Sequence, residues 1–112
     1  MTTLWMKSSC TTCRKAKALL TELGLAFDVR EYYKTPLQAA ELEGLLPEDP
    51  MPLMGNKSPK FKELGLKDRR LTKAEAIALI VEDNNLLKRP LLVHPGGIIT
   101  GFDEAAYRQL VP

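Results

Sequence analysis

The sequence predicts an α/β fold built on a four-stranded mixed sheet, and three observations carry that reading. A Cys-x-x-Cys, Cys10-Thr-Thr-Cys13, stands between a β-favouring run and a run with helical spacing. A second alternation of strand-like and helix-like segments follows it. Near the C-terminus, Pro95-Gly-Gly97 separates two short apolar runs, as expected of an antiparallel hairpin.

Each element has its own warrant. Thr2–Met6 is short, apolar-leaning and rich in β-formers, so it reads as the first strand. Ala16, Leu19, Leu20 and Leu23 recur at helical spacing after the cysteines, and Gly24 ends that helix. Ala26–Tyr33 alternates and reads as a second strand. Thr35 is placed as cap and Pro36 as first residue of a second helix, with apolar contacts from Leu37, Leu42, Leu45 and Leu46. Pro47–Pro52 breaks it. A short helix is expected over Pro59–Leu64, stopped by Gly65.

The clearest helix is Leu71–Val81. Thr72 caps it, Glu75 follows as in a capping box, and Ala76, Ile77, Leu79 and Ile80 form its apolar face. Pro90–His94 and Ile98–Thr100 are the hairpin strands. Asp103 caps a closing helix over Asp103–Val111. The resulting order is β-α-β-α, a helical insert, then β-β-α. With Cys-x-x-Cys after the first strand, that is the order of a thioredoxin-like fold.

Composition narrows the function classes. A chain of 112 residues suits one domain, 1–112, with one core. Hydrophobic residues make up 45% and charged residues 27%, ordinary values for a globular protein. The 16 basic residues are interspersed with 14 acidic ones, so charge gives no sign of nucleic-acid binding. No apolar run approaches the roughly 20 residues of a membrane span. The N-terminus lacks the charged-then-apolar layout of an export signal. A cytoplasmic location is therefore expected, where a close cysteine pair is more often catalytic than structural. Two cysteines and one distant histidine fall short of the four ligands of a structural zinc, so no metal is expected.

The chemistry is concentrated in the cysteines. An ordinary thiol is only about 3% thiolate at pH 7. A helix N-terminus and nearby cations, here Lys7, Arg14 and Lys15, favour the thiolate, which is the nucleophile. A strand–helix junction supplies that setting for Cys10, and Cys13 lies one turn further in.

Over nearly its whole length the chain resembles the arsenate reductase family, the ArsC/Spx group. The resemblance is carried by Cys10–Ala16, Glu31-Tyr-Tyr-Lys-Thr-Pro36, Phe61-Lys-Glu-Leu64, Leu87–Val93 and Gly101-Phe102. It implies that Cys10 is the nucleophile, attacking arsenate or a disulfide, with Cys13 the resolving thiol. It implies an oxyanion contact at Arg89, before a proline that is cis in the family, here Pro90. A planar guanidinium suits bidentate anion binding. Lys57 falls near the family's second basic contact, and Arg14 joins the substrate-binding set.

Glutathione, glutaredoxin or thioredoxin is the implied reductant, with no bound cofactor. Cys13 and Met6 depart from the one-cysteine reductases, which have serine and histidine there. The family's third basic residue, near the hairpin, has no counterpart in Ile98–Gly101. Two cysteines are the Spx-like pattern, which implies the alternative of a redox-sensing regulator that binds RNA polymerase. The sequence ends short of that group's longer tail, which weighs toward an enzyme.

Overall fold

The computed structural model describes residues 2–55 and 58–111. The chain divides into two compact units, Met1–Thr35 with Arg89–Pro112, and Pro36–Lys88.

The first unit holds the sheet. Strand β1 (Thr3–Met6) pairs parallel with β2 (Asp28–Glu31) and antiparallel with β3 (Leu91–His94). β3 in turn pairs antiparallel with β4 (Gly97–Thr100), giving the order β2-β1-β3-β4. The expected four-stranded mixed sheet is thus present. β2 is shorter than the run 26–33 from which it was expected, because β1 offers only four residues to pair. The ladder closes where Tyr32 N–H donates to Met6 O at 3.1 Å. The hairpin turn is fastened by His94, whose Nδ1 accepts from Gly96 N–H at 3.1 Å.

Helix α1 (Thr11–Glu22) buries Cys13, Ala16, Leu19 and Leu20. It ends at Gly24, whose φ of 75° lies in the left-handed region that favours glycine. Helix α5 (Glu104–Arg108) begins at Asp103, whose carboxylate accepts from Ala106 N–H at 3.0 Å. It is shorter than the 103–111 expected. Leu110 N–H turns back to Tyr107 O, a tight final turn in place of further α-helix. Leu4, Met6, Cys13, Ala16, Leu19, Leu20, Leu92 and Tyr107 pack as one core. Tyr107 is anchored by its hydroxyl, which donates to Gly101 O at 3.3 Å.

The second unit is helical: α2 (Ala39–Leu45), α3 (Pro59–Glu63) and α4 (Lys73–Glu82), joined by single 3₁₀ turns. The helix expected to start at Pro36 begins three residues later. Glu41 accepts from Gln38 N–H at 2.8 Å, so Gln38 rather than Thr35 is the cap. Leu37 N–H, ahead of that cap, donates to Asn84 Oδ1 at 3.2 Å. Pro59–Glu63 ends as expected at Gly65, with φ 65°. In α4, Ala76, Ile77 and Ile80 are buried and Leu79 is half-buried. Gly55 is fixed by sterics: a Cβ there would lie 2.8 Å from Asn85 O.

Candidate active site: a cysteine pair at a helix N-terminus

The sheet and α1 together set the cysteine geometry. β1 ends at Met6, three residues form a loop, and Cys10 N–H donates back to Lys7 O at 3.0 Å. Cys10 itself is the N-cap of α1, with extended backbone (φ −90°, ψ 119°). Its sulfur accepts from Cys13 N–H at 3.3 Å, the capping bond that serine or aspartate makes elsewhere. No acidic residue occupies the first turn of α1. The positive end of that helix therefore faces the Cys10 sulfur without a competing carboxylate.

The two thiols live in different surroundings. Cys10 is half-buried, whereas Cys13 belongs to the core and has no exposed surface. Burial pushes the Cys10 thiol up, but hydrogen bonds from the Cys13 side chain and N–H outweigh it. A hydrogen bond from Arg89 and its charge add to them and hold Cys10 below its ordinary value. Burial pushes the Cys13 thiol up to about 12, reinforced by its bond to the Cys10 sulfur and the charge there. A hydrogen bond from the Lys7 backbone and the Arg89 charge work the other way. A proton shared between the sulfurs thus rests on Cys13. The pair thus divides into a thiol tilted toward its thiolate and a buried one tilted toward its protonated form.

Arg89 immediately precedes β3, and the Arg89–Pro90 peptide is cis. That placement brings the guanidinium to Cys10 from a point 79 residues away, beyond the reach of sequence spacing. A cation beside a nucleophilic sulfur both favours the thiolate and offers an anion contact.

The model of the ArsC family matches residues 5–110. The chain belongs to the ArsC family. Among its relatives is a global transcriptional regulator Spx of Enterococcus faecalis, 30% identical, the match covering 100% of this chain and 87% of that one. A possible arsenate reductase from Streptococcus mutans shares the fold with a TM-score of 0.70 at 33% identity, over 91% of both chains. An arsenate reductase from Vibrio cholerae gives 0.76 at 26% identity, over 98% of this chain and 97% of that one. The family spans both function classes, and these likenesses do not separate them.

Other candidate residues of this ArsC-family chain fall out differently. Arg14 is exposed, and its guanidinium donates to Ser8 O at 2.9 Å and Thr11 Oγ1 at 3.4 Å. It fastens the loop before Cys10. Lys57 lies outside the described residues. Among the described residues no group of histidine, cysteine and carboxylate side chains could hold a metal ion, and no helix is long and apolar enough to cross a membrane.

Two residues, one beside the thiols and one holding the loop before them, are not singled out by the sequence pattern. Tyr32 is fully buried, and its hydroxyl has no hydrogen-bond partner among the described residues. Burial raises its pKa far above the ordinary value; the Arg89 charge opposes that and both thiols add to it. Glu31 caps the loop to Cys10 by accepting from Ser8 N–H. Strand alternation gave the only available signal, and it marks burial without naming a partner.

Proposed function

We propose that this ArsC-family chain is a thiol-dependent reductase in which Cys10 attacks and Cys13 resolves. The observation that carries the reading is the capping bond at Cys10, its sulfur held by the Cys13 N–H with the Cys13 thiol buried one turn behind. With a disulfide substrate, the Cys10 thiolate forms a mixed disulfide and expels one thiolate. Cys13 then loses its proton to that leaving group or to solvent and attacks the Cys10 sulfur. The Cys10–Cys13 disulfide forms, the second thiolate leaves, and two electrons have passed to the substrate.

With arsenate, Cys10 displaces water from protonated arsenic(V) to give a thioester-like adduct. Attack of Cys13 on the Cys10 sulfur then expels arsenite with the bonding electron pair. Arg89 holds the oxyanion, and Lys57 is assigned a second contact by family likeness alone. A dithiol such as thioredoxin or glutaredoxin, or two glutathione molecules, restores the pair.

The second reading is a redox-sensing regulator. It is supported by the naming of 30%-identical relatives as global transcriptional regulators Spx. There the same disulfide would alter binding to RNA polymerase. NADPH oxidation coupled through thioredoxin or glutaredoxin, with arsenate or a small disulfide, tests the first reading. Turnover dependent on Cys10 supports it. No turnover on either substrate, with polymerase captured by only one redox form of the protein, would move the assignment to the regulator.

A further inference from the structure

Glu31 ends β2 opposite Met6, the last residue of β1. Three backbone N–H groups converge on its carboxylate. Ser8 donates to one oxygen, while Tyr33 and Lys34 donate to the other, Lys34 at 3.2 Å. The last two belong to the turn after β2, the first to the loop that leads into Cys10. Burial acts against the charge, but these hydrogen bonds outweigh it and hold the carboxyl below its usual range. A carboxylate suits the task because both oxygens accept; an amide has only one that does.

The loop 7–9 is held from its other side by Arg14, which donates to Ser8 O at 2.9 Å. Lys7 carries the consequence to the thiols. Its carbonyl accepts from Cys10 N–H at 3.0 Å, and its backbone also hydrogen-bonds the Cys13 sulfur. Its ammonium lies 5.7 Å from the centre of the Tyr33 ring, in the turn that Glu31 caps. One carboxylate thus ties the segment that touches the two cysteines to the turn after β2.

We propose that Glu31 is a positioning residue for the dithiol, fixing the loop 7–9 so that Lys7 keeps the Cys13 sulfur ready to attack Cys10. This rests on the reading of Cys13 as resolving thiol. A buried thiol ionises at a cost, so each donor aimed at its sulfur lowers the barrier to proton release. A loop released from Glu31 withdraws that donor while Cys10 keeps its own capping bond from Cys13 N–H.

Stopped-flow reaction with dithiobis-nitrobenzoate separates the two steps. Cys10 releases one thionitrobenzoate as the mixed disulfide forms, and Cys13 releases the second as the internal disulfide closes. Glu31→Ala is expected to slow the second phase about tenfold and the first by less than about threefold. Glu31→Asp, which keeps two accepting oxygens, is expected to recover the second phase to within about threefold of the parent, and Glu31→Gln to recover less. Thermal unfolding of each variant accompanies the kinetics. Unchanged second phases, or both phases slowed alike alongside a lower melting temperature, would leave Glu31 a structural cap and overturn the proposal. No second phase in the parent protein would instead remove Cys13 as resolving thiol, and this role with it.

Discussion

Helices α1 and α4 begin in the same way and to opposite ends. Each has an N-cap side chain that accepts from the backbone N–H three residues on: Cys10 Sγ from Cys13 at 3.3 Å, Thr72 Oγ1 from Glu75 at 3.2 Å. In α4 the exchange is reciprocal, since Glu75 Oε1 accepts from Thr72 N–H at 2.9 Å. The helix supplies its own negative charge, and the end is closed. In α1 the first turn has no acid. Its positive end is left to the sulfur, which caps poorly but becomes a better nucleophile. One capping position serves stability in α4 and reactivity in α1.

Exchanging the cap of α1 gives the largest expected effect. Cys10→Ser installs a better cap and a far poorer nucleophile. Reductase activity is expected to fall to background while the melting temperature holds or rises. Retained turnover, followed with either arsenate or a small disulfide, would break the contrast between the two helices. Cys13→Ser removes the thiol proposed to resolve the adduct and leaves the cap. A trapped adduct on Cys10, seen by mass spectrometry, is the expected result.

Next in size is the effect of Arg89. Iodoacetamide labels the thiolate, so its rate rises with pH through the Cys10 pKa and levels off above it. Because that pKa is lowered, the midpoint is expected below that of an ordinary thiol. Arg89→Ala takes away a hydrogen bond and a positive charge, and the midpoint should move up. Use of an oxyanion substrate should drop about ten- to a hundredfold, the scale of one charge-assisted contact. An unshifted midpoint would confine thiolate stabilisation to the helix end.

The two helix starts also differ in how readily the sequence reveals them. Thr72 and Glu75 form a local pattern, and α4 starts where that pattern puts it. Cys10 and Cys13 are equally local, and the strand–helix junction located them. α2 starts later than Thr35-Pro36 suggests because its capping box is built on Gln38 and Glu41, a weaker local signal than Thr-Pro. Arg89 came from family likeness; spacing alone gives a surface arginine. Glu31 reaches Ser8 across 23 residues only because β1 and β2 pair in parallel. Local signals therefore located the cysteine pair, and tertiary pairing chose the residues that surround it.

Thr72→Ala measures the stability side of the contrast. It opens the capping box and leaves the dithiol untouched, so the expected loss is about 1 kcal/mol in chemical denaturation. The Cys10 alkylation profile should stay where it is. A shift in that profile would mean that the cap of α4 influences the thiol end, and the two helix starts could no longer be treated as independent.

The smallest effect is expected at Tyr32, and it concerns what the thiol end leaves unsatisfied. The α4 start exchanges its two capping bonds in full, whereas beside the thiols a buried hydroxyl stands without a partner among the described residues. A buried O–H with no acceptor is desolvated for no return. Tyr32→Phe keeps the ring in the core and removes that group. Stability is expected to stay level or rise by up to about 1 kcal/mol, with the alkylation midpoint of Cys10 little changed. A loss of about 1 kcal/mol or more would show that the hydroxyl has a partner in solution, such as a buried water. In that case the thiol end would be as fully hydrogen-bonded as the start of α4, and the difference between them would reduce to the sulfur alone.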